Sequence, residues 1–186
     1  MPGSSVDIMN DVAESIIRNT NSKKFLDIGA GAGKYGKMIR QLVPEAHITG
    51  IEIEQDYIIK YKLNELYDEM LCMPAHELID KKTDEIYDLA IIGDSLEHMK
   101  KSNGIDLINF LIYRVRYLLI IYPVEYLQPS LQGYKHEAHI SYWNVNDFNG
   151  LNGKGVMRGY MMAIGFNGYR WRPQYRPDIK TLIPEK

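Results

Sequence analysis

Three glycines at alternate positions, Gly29, Gly31 and Gly33, interrupt the segment FLDIGAGAGKYG, residues 25–36. Residues without a Cβ let a chain turn sharply and bring its backbone close to a ligand. About 20 residues further on, Gly50-Ile51-Glu52 closes a second β-rich run, where a carboxylate can accept both hydroxyls of a ribose. Together the two features predict an adenosine-type cofactor. Asp27, two positions before the first glycine, reads equally as a ligand contact or as a residue that caps the loop.

A second group of residues could move protons. His98, His136 and His139 are candidate general bases, because an unperturbed imidazole titrates near neutral pH. Asp94, Glu97 and His98 follow an apolar run directly, and they read either as part of a site or as a helix start capped by Asp94 or Ser95. His136-Glu137-Ala138-His139 sets two histidines three apart without a cysteine partner, a clear third ligand or the HExxH order, so no metal is expected.

The elements that must position these residues follow from period and punctuation. Residues 4–18 read as a helix capped by Ser4 or Ser5, with Val6, Met9, Val12, Ile16 and Ile17 near helical spacing. Phe25–Ile28 reads as a strand entering the glycines, and residues 34–42 as a helix stopped before Pro44. Strands are expected at 47–53, 70–73, 87–92 and 117–122, with helices at 55–64, 75–81 and 105–116 between them. Beyond Pro123 a helix is expected within 144–163, with strands at 168–172 and 179–183. Strands separated by helices imply right-handed parallel crossovers. The expected fold is therefore α/β: a Rossmann-like, mostly parallel sheet with helices on both faces and an antiparallel C-terminal strand. Ligands of such sheets bind at the carboxyl ends of the strands.

The 186 residues fit one domain with a core of its own, and neither repeats nor linkers divide them. The lone Cys72 can form no internal disulfide, and no apolar run approaches the roughly 18 residues of a membrane span, so a cytoplasmic protein without a membrane partner is expected. A net charge of −2 supplies no overall attraction to nucleic acid. The tail from Tyr169 to Arg176 interleaves cations with aromatics; it reads as a phosphate- or base-binding patch or as a charged edge strand.

A literal GxGxxG occurs at Gly31, Gly33 and Gly36, but counting from the strand end at Gly29 and Gly31 puts Lys34 where a dinucleotide fingerprint wants its third glycine. The segment instead resembles motif I of class I S-adenosylmethionine-dependent methyltransferases, an acidic residue two before GxGxG, with Glu52 similar to that family's ribose carboxylate and YDLAIIGDSLEHM, residues 87–99, similar to its motif IV region. The resemblance covers residues 25–122 and implies S-adenosyl-L-methionine as cofactor. It places Gly29, Ala30, Gly31, Gly33 and Tyr35 along the cofactor, Asp27 at its methionine end and Glu52 with Ile53 at the ribose. Gly93 and Asp94 are then near the sulfonium. The family's acidic adenine contact after the third strand is replaced here by Met73-Pro74-Ala75-His76-Glu77, leaving Ala75 and His76 as substitutes.

The same resemblance implies methyl transfer to an oxygen or nitrogen of an unidentified acceptor facing Tyr134–Trp143. No NPPY or DPPY follows Ile92 and Cys72 has no Pro-Cys context, which argues against DNA base methylation while leaving other nucleic acid open. The uncovered face has room for a macromolecular acceptor or a second copy of the chain, as a homodimer. A cofactor-binding but non-catalytic regulatory or scaffold module is the alternative, with a nicotinamide-dependent oxidoreductase disfavoured by glycine register.

Overall fold

Short runs bounded by glycine, proline and polar turns, buried except at the two edges, build one sheet. A computed structural model of the protein describes residues 7–81, 84–124, 126–130, 133–174 and 176–184. In chain order the elements are α1 (Asn10–Asn19), β1 (Lys24–Ile28), α2 (Lys34–Leu42), β2 (His47–Glu52), α3 (Gln55–Lys60), α4 (Leu63–Leu66), β3 (Glu69–Cys72), α5 (Leu78–Lys81), β4 (Tyr87–Gly93), α6 (Lys101–Ile112), β5 (Val115–Pro123), β6 (Gly153–Arg158), β7 (Met161–Asn167) and α7 (Ile179–Leu182). Among the described residues the sheet has seven strands in the order β3-β2-β1-β4-β5-β7-β6. The first five are mutually parallel, while β7 runs antiparallel to β5 and β6 antiparallel to β7. The order reverses between β1 and β4, where the chain leaves β1 for α2 on one face of the sheet and β4 for α6 on the other, opening a crevice.

Side chains alternate across this sheet and feed two cores. On β5, Tyr117, Leu119 and Ile121 face one side with Ile16 of α1, Ile39 of α2 and Ile179 of α7. Leu118, Ile120 and Tyr122 face the other, against Leu78 of α5 and Leu107 and Leu111 of α6. Burial of the central strands on both faces explains their near-continuous apolar text, and it fixes their register because a one-residue slip would exchange the two faces. No helix among the described residues is long and apolar enough to cross a membrane.

The C-terminal third departs from the expectations. Residues 144–163 carry no long helix: a short 3-10 turn at Val145–Phe148 leads into the β6–β7 hairpin, which reverses at Gly159 with φ +57°. Gly153, Gly155 and Gly159 weaken helix there, and pairing with β5 overrides the helix propensity of Met and Ala in β7. The expected strand at 168–172 is a turn that hangs from the sheet end, with the amides of Gly168 and Arg170 donating to the carbonyls of Arg116 and Val115. The edge-strand reading of Tyr169–Arg176 is thereby corrected: β3 and β6 form the edges, and Tyr175 lies outside the described residues. The expected strand at 179–183 is helix α7. Asp178 caps it through the Lys180 amide at 2.9 Å, and it packs where a Cβ on Gly165 would meet Ile179 Cδ1 at 2.9 Å. The helix expected at 55–64 is broken at Lys62, whose φ is +53°. Ser4 and Ser5 lie outside the described residues, and α1 is preceded by a 3-10 turn at Asp7–Met9.

Candidate active site

The glycine loop is tied to the second strand before any ligand is considered. Gly29, Gly31 and Gly33 all have positive φ, +76°, +53° and +77°, a region that costs a residue with a Cβ about 1 kcal/mol or more. The amides of Gly29 and Ala30 both donate to the Ile51 carbonyl at 2.9 Å. Gly31 N–H donates to Glu52 Oε2 at 2.7 Å, and Glu54 N–H to Glu52 Oε1 at 2.9 Å. Glu52 is buried, and that burial holds its carboxyl above the usual range despite the amide bonds. Each oxygen retains a lone pair beyond the one its amide uses.

Asp27 sits under the loop. It is fully buried, it accepts from Tyr67 O–H at 2.6 Å, and burial pushes its pKa up to about 6 although the Tyr67 bond and the Gly36 amide oppose the rise. Gly36 leaves room for Tyr67, since a Cβ there would meet Tyr67 Oη at 2.5 Å.

At the carboxyl ends of β1, β2 and β4 the loop borders a cavity of about 630 Å³. Its lining gathers most of the residues singled out from sequence: Gly29, Ala30, Gly31, Tyr35, Glu52, Ile53, Ala75, His76, Gly93 and Asp94, with His98, His136 and His139. Asp27 and Gly33 are not brought to it. Gly33 is the left-handed N-cap of α2 and faces the core, where a Cβ would meet Leu66 Cδ2 at 2.9 Å. Gly93 accommodates the Tyr35 ring, which a Cβ there would overlap. Asp94 has φ +49°, uncommon for a residue with a side chain and concentrated at functional sites.

Sequence reasoning passed over Tyr57, Tyr126, Gln128 and Tyr160, which also line the cavity. Tyr57 O–H donates to Glu137 Oε1 at 2.7 Å, and Gln128 donates its side-chain N–H to the Glu137 carbonyl at 2.8 Å. Nothing in their spacing sets them apart from packing aromatics and surface amides. Five carboxyl groups, of Glu52, Glu54, Asp94, Glu97 and Glu137, border the cavity against two ammonium groups, Lys34 and Lys100. Even with Glu97 held as the neutral acid by burial, four carboxyl groups against two ammonium groups favour a cationic occupant and disfavour a pyrophosphate.

The segment after β5 folds back over the turn after β4. Ile140 and Ser141 donate their amides to the Glu97 carbonyl at 2.8 and 3.1 Å, and Trp143 Nε1–H donates to the Leu96 carbonyl at 3.2 Å. Trp143 is 1% exposed and stacks on Phe148. His98 and His139 thereby meet edge to face with ring centres 4.8 Å apart. His98 Nδ1 lies 3.2 Å from the Ala138 carbonyl and His139 Nδ1 2.8 Å from the Tyr126 carbonyl. A carbonyl only accepts, so each ring donates from Nδ1 and, when neutral, keeps its lone pair on Nε2. Burial and the facing His139 hold His98 below its ordinary pKa. Burial, then the charge of Asp94, holds the Glu97 carboxyl well above the carboxylate range. One ligand-type atom from each of Glu97, His98 and His139 lies within 4.8 Å of the other two. His136 points elsewhere, with Nε2 3.7 Å from Glu54 Oε1.

No protein-family model matches the sequence, and no curated protein matches it at a significant level. Solved structures do match the fold. A SAM-dependent methyltransferase from Archaeoglobus fulgidus superposes with a TM-score of 0.65 at 14% identity, over 86% of this chain and 92% of that one. An O-methyltransferase family protein from Burkholderia thailandensis gives 0.64 at 12% identity over 86% of this chain and 55% of that one. The plantazolicin methyltransferase BpumL, solved in complex with SAH, gives 0.64 at 15% identity over 87% and 83%. The chain thus spans about half the length of the Burkholderia protein and most of the other two. A mostly parallel sheet whose last strands turn antiparallel, with a glycine loop and a carboxylate at the tips of its first two strands, is a Rossmann-like fold shared with class I SAM-dependent methyltransferases.

Proposed function

We propose that this chain binds S-adenosyl-L-methionine in the cavity and transfers its methyl group to an oxygen or nitrogen atom of an acceptor. The observation that carries the reading is Glu52, whose carboxylate borders the cavity beside the backbone of Gly29, Ala30 and Gly31 and keeps lone pairs for a diol. The solved complex of BpumL with SAH, on the same fold, supports the same occupant.

The cofactor supplies an activated methyl carbon, so the protein's own tasks are positioning, exclusion of water and, for some acceptors, removal of a proton. Glu52 would hold the ribose hydroxyls, and the loop backbone would lie along the amino-acid end. Ile53, Met73, Pro74 and Ala75 offer an apolar wall for the adenine, with His76 at its border. The excess of carboxyl groups over lysines suits a sulfonium cation, and Gly93 and Asp94, at the end of β4, line the same cavity as Glu52. Asp27 acts from below through Tyr67, as support for the loop. His98 and His139, with Nδ1 committed to carbonyls, keep an electron pair on Nε2 that accepts a proton only while no cation holds it, and His136 beside Glu54 is a further candidate base.

Calorimetric titration with S-adenosylmethionine and S-adenosylhomocysteine tests the reading. Saturable binding of both is expected, and none up to about 1 mM for either would end it. Binding with no methyl transfer to any fraction of a cell extract would favour a non-catalytic module.

A further inference from the structure

We propose that Glu97, His98 and His139 form a divalent transition-metal site in the cavity wall. Two imidazoles and a carboxylate, each offering one ligand atom within 4.8 Å of the others, make a three-ligand set that binds zinc, manganese or iron with coordination positions to spare. Ligands of one ion at about 2.1 Å stand roughly 3 to 4 Å apart, so the trio contracts by about an ångström on binding.

Two independent features point to a cation. Both rings are held through Nδ1 by main-chain carbonyls, of Ala138 for His98 and Tyr126 for His139. That contact fixes the tautomer with its electron pair on Nε2, which is how metal-bound histidines are oriented by their surroundings. Glu97 is 3% exposed, and its Oε2 is buried without a hydrogen-bond partner. The other oxygen, Oε1, lies 3.9 Å from His98 Nε2, so the buried carboxyl group faces the ring through one oxygen and leaves the second without a partner, a costly arrangement for a carboxylate that a cation ligated by the group would offset. The site could not be read from His136 and His139, because its remaining ligands come from the turn after β4 and His136 turns to Glu54.

All three ligands border the cavity, so the open positions face its contents. This part rests on the methyl-transfer reading: an acceptor bound there would ligate the ion through oxygen, which places hydroxyl or carboxyl acceptors ahead of amines, since a protonated amine has no pair to give.

The test uses the full chain, stripped with a chelator and titrated with Co(II) by visible absorption and with Zn(II) by calorimetry. One equivalent is expected to bind with a dissociation constant of about 10 µM or less. His139→Ala and Glu97→Gln should each weaken binding by at least about tenfold, while His136→Ala leaves it unchanged. Circular dichroism checks folding, and if Glu97→Gln fails to fold, His139→Ala decides alone. No saturable binding by the folded wild type up to about 1 mM, or full affinity in His139→Ala, overturns the site. S-adenosylhomocysteine titration of the same samples separates the two claims. Metal bound without it upholds the site and removes the acceptor argument, whereas nucleoside bound without metal overturns the site and leaves methyl transfer standing.

Discussion

Replacing Asp27 by Asn removes a carboxyl group that folding buries completely and whose pKa burial raises from 3.8 to about 6. As pH rises the unfolded chain releases this proton first and the folded chain holds it longer, so the native state binds more protons between those two values. The contribution to stability is therefore fully present below pH 3.8 and is lost as pH rises through about 6. A shift of about 2 units at 1.36 kcal/mol each amounts to roughly 3 kcal/mol. Asn cannot titrate. The stability of wild type minus that of Asp27→Asn should thus fall by about 3 kcal/mol between roughly pH 3.5 and 7. Urea unfolding at constant ionic strength, followed by the fluorescence of Trp143 and Trp171, gives that difference. Asp11, Asp68 and Asp178, whose pKa values the fold lowers, act oppositely at the acid end, but they are common to both proteins and cancel. A difference constant to within about 0.5 kcal/mol across that range would refute the claim that a buried, proton-holding Asp27 underlies the loop.

Three further substitutions probe the site. Glu52→Gln can accept from only one of the Gly31 and Glu54 amides; it should weaken S-adenosylhomocysteine binding by about 1.5 to 3 kcal/mol, roughly tenfold to a hundredfold, and unchanged affinity in the folded variant contradicts the ribose role. Gly93→Ala forces the Tyr35 ring out of place and should cost about 1 to 3 kcal/mol in thermal unfolding together with a loss of cofactor affinity; a melting temperature equal to wild type would show that the ring relaxes freely. Trp143→Ala empties the contact with Phe148 and Gly104 and should cost about 3 to 5 kcal/mol by chemical denaturation, with a smaller loss meaning that the segment over the β4 turn does not depend on this anchor.

Strands β1, β2, β4 and β5 were legible because each is a largely buried run closed by a glycine, proline or acidic residue, and burial on both faces leaves little ambiguity, whereas β3 is a half-exposed edge read only from its apolar text. The glycine loop and Glu52 were legible together because their spacing is local to one strand-helix-strand unit. The C-terminal hairpin was not: Met161, Met162 and Ala163 favour helix in isolation, and only β5 alongside makes them strand. Residues 179–183 read as strand, but the Asp178 side chain, bonded to both Lys180 N–H and Asn167, starts a helix instead. The approach of His139 to Glu97 and His98 depends on the segment after β5 bending back onto the turn after β4, a contact with no trace in local periodicity. Buried Asp27 illustrates the converse, since its spacing from Gly29 is visible while its partner Tyr67 lies a strand and three helices away.

The bonds from Ile140, Ser141 and Trp143 to the carbonyls of Glu97 and Leu96, with Lys101 Nζ donating to the Tyr142 carbonyl, make two distant stretches of chain a single transplantable piece. A chimaera that borrows residues 133–143 from another protein to alter acceptor choice would arrive without its fastenings unless residues 95–101 travel with it. An exchange of this wall is accordingly expected to keep its fold only when both stretches move together.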